Sequence, residues 1–227
     1  MRGDRAKGDA VISHAMEDYL KAIYELSAGS DRVTTSKLAE RMACTPASVT
    51  NMLQKLSSLR LVEYAPYRGV TLTATGTKIA LEVVRHHRLI ELYLAEVLGY
   101  SWDRVHDEAE LLEHVISEEF EEKIDRALGY PTKDPHGAPI PTKDGTIETG
   151  AHITLWEAVE GQRVSIEQVD DRSSDVLRYL AGIGIVPEVR LVVLRRVPFN
   201  GPIHVSVDDR EHWLSEELAR QILVRVE

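Results

Sequence analysis

A single cysteine, Cys44, stands among 227 residues, which excludes an internal disulfide and any zinc site built on several cysteines. No apolar run approaches the roughly 20 residues of a membrane-spanning helix. No basic-then-apolar leader with a small-residue cleavage site opens the chain, so a cytoplasmic protein is expected. Signatures of covalent catalysis are missing too: there is no nucleophile elbow, no phosphate-cradling glycine loop and no Cys–His pairing. Internal repeats and low-complexity tracts are also lacking. The length suits two or three small domains better than one large one.

Charge is present in quantity, and it is uneven. The net charge of −10 would speak against a nucleic-acid partner if it were spread evenly. Residues 1–85 hold twelve Lys and Arg against nine Asp and Glu, a net of +3. Residues 86–150 hold six against fifteen, net −9, and residues 151–227 nine against thirteen, net −4. A mildly basic head on an acidic body fits DNA at one end and cations in the middle.

Periodicity organises the head. Apolar residues recur helically from Ile12 through Met16, Tyr19, Leu20, Ile23, Tyr24 and Leu26, with Ser13 as N-cap and a stop at Ala28-Gly29-Ser30-Asp31. Thr35 or Ser36 then caps a short helix over Lys37–Met42. Thr45-Pro46 opens the next, with proline where its missing N–H costs nothing and Val49, Met52, Leu53, Leu56 and Leu59 facing inward. Leu61–Tyr64 and Val70–Thr73 alternate as two strands around a turn. Helix, short helix, helix and hairpin is the order of a winged helix-turn-helix.

A long helix follows from Thr75 to about Leu98, and after Gly99 a second starts near Trp102-Asp103. A third runs from about Ser117 to Leu128. Pro131–Gly150, with four prolines, is a linker or an irregular wrap. Arg163–Val169, Val189–Val197, Ile203–Val207 and Ile222–Val226 then alternate as strands, with a helix over Ser174–Ala181, to make a small barrel-like β module. The fold class expected is mainly α with that β module, in three domains: 1–81, 82–149 and 150–227.

Metal-binding side chains concentrate in the middle segment. His87 and Glu91 are four apart and share a helical face; Glu110, Glu113 and His114 repeat the arrangement at i, i+3 and i+4. With His106 they form a nitrogen and oxygen set suited to a divalent cation. An acidic helical face is often merely solvated, but two helices that each offer histidine and carboxylate at helical spacing point to a metal. Asp18 reads as a carboxylate at a helix N-terminus, and its spacing does not connect it to the cluster. His136, His152, His204 and His212 stand singly and read as surface or satisfied histidines, and Cys44 as half-buried and inert.

In the helix-turn-helix the second helix reads base edges with its N-terminal residues, here Thr45, Ala47, Ser48, Thr50 and Asn51. Asparagine can bond adenine bidentately, and a small apolar group can meet a thymine methyl. Lys55, Arg60 and Arg68 suit phosphates, which set affinity but not sequence. The plainer alternative leaves Thr45 as an N-cap and Asn51 as surface polarity.

These stretches resemble the diphtheria toxin repressor family of metal-dependent regulators. The likeness rests on Met16-Glu17-Asp18-Tyr19-Leu20 with Ile23-Tyr24-Glu25-Leu26, Pro46-Ala47-Ser48-Val49-Thr50 and His87-Arg88-Leu89-Ile90-Glu91. It continues through Val105-His106-Asp107-Glu108-Ala109, Glu113-His114-Val115 and Pro135-His136-Gly137-Ala138-Pro139-Ile140-Pro141. It covers about residues 12–142, with a looser match to the family's SH3-like module beyond. It implies a homodimer held by the helices after the wing, with two metal positions per subunit. One would use Asp18, Glu110, Glu113 and His114. The other would use His87, Glu91 and His106, completed from the SH3-like module by Asp171 or Asp175.

Two departures from the family pattern matter. Iron-type members carry Met and Cys where this chain has Asp18 and Glu110, and carboxylate in place of sulfur makes a harder site that suits Mn²⁺. Short manganese-type members carry Glu where this chain has Lys21, which argues against their closely spaced two-manganese arrangement. The expectation is a manganese-dependent transcriptional regulator, with Fe²⁺ as the alternative, that binds a double-stranded DNA operator as a metal-loaded homodimer and controls metal-homeostasis genes. A metalloenzyme would need an open coordination position and a substrate pocket, and the sequence signals neither.

Overall fold

The computed structural model describes residues 12–27, 32–147 and 150–227. The polar arm of the first nine residues and the helix stop at Ala28-Gly29-Ser30-Asp31 lie outside them. The chain divides into two compact units, Met1–Val84 and Arg85–Glu227.

In the first unit, α1 (His14–Ser27) starts where the Met16 and Glu17 N–H groups donate to the Ser13 carbonyl at 2.7 and 3.1 Å. Its apolar stripe buries Met16, Tyr19, Leu20 and Ile23. The cap of α2 (Thr35–Arg41) is Thr34, not Thr35 or Ser36. At φ −80°, ψ 150° Thr34 is extended, and its hydroxyl accepts from the Lys37 N–H. α3 (Pro46–Ser58) has Thr45 as N-cap and Pro46 in its first turn. β1 (Val62–Ala65) and β2 (Gly69–Leu72) pair antiparallel from Val62↔Leu72 to Ala65↔Gly69. The hairpin is pinned at its root: Val70 exchanges two backbone hydrogen bonds of 2.9 Å with Val33. Gly69, at φ 87°, lies where a Cβ would stand 2.5 Å from the Val33 oxygen. Leu38, Val49, Leu53, Leu56, Val62 and Val70 close the core beneath. This is the winged helix-turn-helix.

The division between units falls inside α4 (Ala74–Glu96). In the second unit the remainder of α4 is joined by α5 (Val105–Leu112) and α6 (Glu118–Ala127), the latter capped by Ser117. α5 is shorter than the spacing suggested: Glu113 is its C-cap, and Glu113, His114 and Val115 form a turn. Pro131–Gly150 has no strand or helix among its described residues, yet it is a wrap and not a linker. It buries Asp134, His136, Ala138 and Ile140, and Ile140 packs with Leu89 of α4 and Ile124 of α6.

The C-terminal module is an SH3-like antiparallel sheet of β3 (Ile153–Thr154), β4 (Arg163–Val169), β5 (Arg190–Arg196), β6 (Ile203–Val207), β7 (Arg210–Leu214) and β8 (Ile222–Val226). The spatial order is β3-β8-β4-β5-β6-β7. α7 (Ser174–Gly182) and α8 (Glu216–Arg220) complete it. Leu155, Ile166, Leu177, Leu180, Val193, Val205 and Ile222 fill its core, against which Trp102 also packs. β3, β7 and α8 were not anticipated. β7 buries only Leu214, so it carries almost no alternation. Its signal is the two-residue turn Asp208-Asp209, with φ 45° and 62°, a conformation that short hairpins require.

Candidate metal centre and nucleic-acid interface

α4 places His87 and Glu91 one turn apart on a buried face, at 4% and 0% exposure. α5 brings His106 to the same point. The His87 Nε2 lies 3.1 Å from Glu91 Oε1 and 3.1 Å from His106 Nδ1, and His106 Nδ1 lies 3.4 Å from Glu91 Oε1. The loop after β4 adds Asp171, whose Oδ2 is 3.7 Å from His106 Nδ1. Asp175, the alternative, is exposed and paired with Arg178. Of the two, Asp171 is the one brought to the cluster.

The wrap supplies two residues that sequence reasoning missed. His136 is fully buried, contrary to its reading as a surface or satisfied histidine. Its Nε2 donates to the Trp102 carbonyl at 2.7 Å, which commits that proton and leaves Nδ1 as the ligand atom. Nδ1 faces Glu91 Oε2 at 3.8 Å and Asp171 Oδ2 at 4.0 Å. Asp134 is also buried: its Oδ1 accepts from the His136 and Ala138 N–H groups at 2.8 and 2.9 Å, and its Oδ2 lies 3.7 Å from Arg88 Nε. One signal could have found both. Asp134-Pro135-His136-Gly137 lies near the start of a helix-free, proline-rich stretch, where its polar side chains have no helical or strand face to serve.

Electrostatics expose the purpose of the cluster. Burial alone would raise the Glu91 carboxyl, but the charge of His87 and the facing His106 and His136 hold it well below the usual carboxylate range. Burial, then the Glu91 charge, pushes Asp134 up to about 7. Burial works against a charged His136, yet Glu91, Asp134 and Asp171 raise it to about 9. His106 is raised too, by Glu91 and Asp171 against its own burial. Despite these close approaches, both Glu91 oxygens, Asp134 Oδ2 and His136 Nδ1 are buried with no hydrogen-bond partner. Atoms that stand 3–4 Å apart without aligning as donor and acceptor converge on a shared point and not on one another. Such a group could hold a cation, and its nitrogen and oxygen donors fit a divalent one.

A further group, built on Glu113, adjoins this one. Glu113 is buried at 1% exposure. One of its carboxylate oxygens makes a short hydrogen bond to His87 Nδ1 and the other lies 3.4 Å from His114 Nε2. His87, Glu110 and Glu113 offer ligand atoms within 4.8 Å of one another, and Glu110 also approaches His106 Nε2 at 3.8 Å. Glu113 therefore links the expected positions. Asp18 sits half-buried on α1, in the other unit.

On α3, Thr45, Ala47, Ser48, Asn51 and Lys55 are exposed and Thr50 is half-buried; Arg68 is exposed on the wing. Three of these hydroxyls are already engaged. Thr45 Oγ1 accepts from the Ser48 N–H at 3.2 Å and lies 3.0 Å from the Ser48 hydroxyl, and Thr50 Oγ1 donates to the Pro46 carbonyl at 2.9 Å. Ala47 and Asn51 are left as the side chains with most to offer a base edge. Cys44 is half-buried with its sulfur 3.3 Å from the Tyr19 hydroxyl, and burial together with that contact pushes Tyr19 up to about 12.

Comparison with known proteins covers nearly the whole chain. Residues 12–70 match the family model of the iron-dependent repressor N-terminal DNA-binding domain. Residues 73–142 match that of the iron-dependent repressor metal-binding and dimerisation domain, and residues 153–226 that of the FeoA domain. The iron-dependent repressor IdeR of Mycobacterium leprae is 32% identical over 224 residues, spanning 92% of this chain and 95% of that protein. The diphtheria toxin repressor of Corynebacterium diphtheriae is 35% identical over 220 residues, with 92% and 95% covered. A solved manganese-dependent transcriptional repressor in complex with manganese superposes with a TM-score of 0.89 at 39% identity, covering 93% of this chain and all of that one.

Proposed function

The chain belongs to the diphtheria toxin repressor family of metal-dependent transcriptional repressors, and on that premise we propose that its operator binding answers to manganese. The members of this family are DNA-binding regulators and not enzymes, and they act on operator DNA as homodimers. Among the described residues no helix is long and apolar enough to cross a membrane, and we propose action in the cytoplasm.

The observation that carries the choice of metal is the donor set. Every candidate ligand is nitrogen or oxygen, and carboxylates outnumber imidazoles: Asp18, Glu110, Glu113 and His114 form the first set, and His87, Glu91, His106 and Asp171, with His136 and Asp134, the second. The sole sulfur nucleophile, Cys44, lies against Tyr19 in the DNA-binding unit. Mn²⁺ is the weakest binder in the divalent series and is selected by oxygen ligands and geometry, whereas thiolate and thioether select softer ions. A bound divalent cation supplies the positive charge that lets clustered carboxylates share one space.

The rest belongs to the chain. Glu110 and Glu113 repel one another across a single turn. Asp18 is the ligand through which occupancy reaches the recognition helices, whose separation must match half-sites about one helical turn, roughly 34–36 Å, or a multiple apart. His136, raised to about 9 by the surrounding carboxylates, gives up a proton as it becomes a ligand, so binding strengthens as pH rises.

The test exchanges the donors. Operator affinity is measured anaerobically against Mn²⁺, Fe²⁺, Co²⁺ and Zn²⁺ for the parent protein and for Asp18→Met with Glu110→Cys. The parent is expected to respond best to Mn²⁺, with Zn²⁺ bound tightly but activating poorly because it is content with four ligands. The double variant is expected to move towards Fe²⁺ and Co²⁺. An unchanged ranking would place selectivity in the second set.

A further inference from the structure

Beside the ligand sets the second unit buries another group of charges that metal binding does not use. Arg85, His86, Glu121 and Asp125 are 6%, 8%, 3% and 5% exposed. Glu121 of α6 joins them. Its Oε1 accepts from Arg85 Nε at 2.6 Å and its Oε2 faces His86 Nε2 at 3.1 Å. Arg85 also donates to the Pro141 carbonyl at 2.7 Å and makes a short ion pair with Asp125. The other ring nitrogen of His86, Nδ1, faces the backbone oxygen of Glu113 at 3.1 Å.

Two features lift this network above ordinary packing. The first is the identity of the residue at its end. Glu113 is the C-cap of α5, so its carbonyl is among those a helix leaves without an internal partner. His86 serves that carbonyl, while the next residue on α4, His87, holds the carboxylate of the same glutamate. Consecutive histidines thus grip the main chain and the side chain of one proposed ligand. The second feature is occupancy. His86 Nδ1 is engaged by the Glu113 carbonyl and Nε2 by the Glu121 carboxyl, so the ring serves the brace with both of its nitrogens.

We propose that Glu121, acting through His86, is a positioning residue for the first ligand set: the Arg85–Glu121–His86 brace fixes the Glu113 peptide so that its carboxylate is aimed before a cation arrives. The inference rests on the reading of Glu113 as a ligand. It gives α6 a role that its sequence does not announce, since the helix itself contributes no ligand. It also separates two carboxylates that differ little in burial. Glu121 lies on the line from Arg85 to Glu113, whereas Asp125 bonds Arg85 alone.

The experiment compares Glu121→Gln, His86→Gln and Asp125→Asn with Glu113→Ala in the full-length protein. Mn²⁺ isotherms are read by electron paramagnetic resonance of free Mn²⁺ against a competing chelator, together with the line shape of the bound ion and the melting temperature. The class of sites that Glu113→Ala removes defines the first set. Glu121→Gln and His86→Gln are expected to weaken that class about 10–100-fold, the range for residues that orient a ligand, and to alter its line shape. Asp125→Asn should lower the melting temperature but leave the affinity at the parent's, since it touches no part of the Glu113 line. If Glu121→Gln does not fold, His86→Gln decides, because it leaves Arg85 and both carboxylates in place. Affinity that falls in step with melting temperature across all three variants would make the network merely structural and overturn the brace. Parent affinity in both Glu121→Gln and His86→Gln, with the class still lost in Glu113→Ala, would overturn the brace and leave the ligand reading standing. A Glu113→Ala protein that keeps every Mn²⁺ class would remove the ligand reading and the brace with it.

Discussion

Glu91 keeps its charge with no exposed surface because imidazoles face it, while Asp134, equally enclosed but beside the Glu91 carboxylate, is pushed up to about 7. Neighbours and not residue type decide which buried group stays ionised. The orphaned Nδ1 of His136 gives the simplest test of the second ligand set: His136→Ala should weaken Mn²⁺ binding there at least about tenfold. Unaltered isotherms in chelator competition would remove His136 from the set. Glu121 makes a separate prediction about acid stability. Its folded value of about 2 lies below the ordinary 4.5, so the stability it contributes is complete above about pH 4.5 and is lost as pH falls towards 2. In urea titrations the gap between the parent and Glu121→Gln should be constant at neutral pH and shrink across that window; a gap that widened with acid would reverse the sign. At this scale the sequence was uneven in what it showed. His87, Glu91, Glu110 and Glu113 are visible because helical spacing groups them. His136 and Asp134 are not, because only the irregular path of the wrap carries them to Glu91.

Elements were legible where one face is buried. α3 declares itself by Thr45-Pro46 and its apolar stripe, and β6 and the start of β8 by alternation that burial reproduces; β4 is buried at four successive residues, Val164 to Glu167. β7, buried at Leu214 alone, offers no such pattern, and the short α5 shows that ligand spacing can outlast the helix that suggests it. The wing is pinned to Val33, and Gly69 permits the close approach. Gly69→Ala would put a Cβ against the Val33 oxygen at a φ of 87°, costing about 1–2 kcal/mol for the left-handed backbone alone. Calorimetry should register a lower melting temperature for the DNA-binding unit, with Mn²⁺ isotherms unmoved; a variant as stable as the parent would refute the pinned hairpin. On α3, Asn51→Ala should relax base preference, whereas Lys55→Ala should weaken all sequences alike and reduce the salt slope by about 0.9 per lost phosphate contact. A change of preferred base in Lys55→Ala at constant salt slope would mean that the helix enters the groove in another register.

Over the whole molecule, a basic DNA-reading head and an acidic metal-binding body are coupled by linkage. A cation that binds the operator-competent arrangement better than its alternatives shifts the population by that difference, and moving from 1:99 to 99:1 takes about 5.5 kcal/mol. The charge asymmetry and the family motifs made this division of labour readable from the chain. The contribution of the SH3-like module was only half readable, since Asp171 and Asp175 are four residues apart and nothing short of the fold tells them apart. The account stands or falls on whether manganese governs DNA binding. The direct measurement is operator affinity of the full-length protein at fixed ionic strength, in chelator and then across a Mn²⁺ titration, with Glu113→Ala beside it. The account predicts operator binding that appears with Mn²⁺ at concentrations where Zn²⁺ activates poorly, and none at any Mn²⁺ concentration for Glu113→Ala. Full operator affinity in chelator, for the parent or for Glu113→Ala, would contradict it.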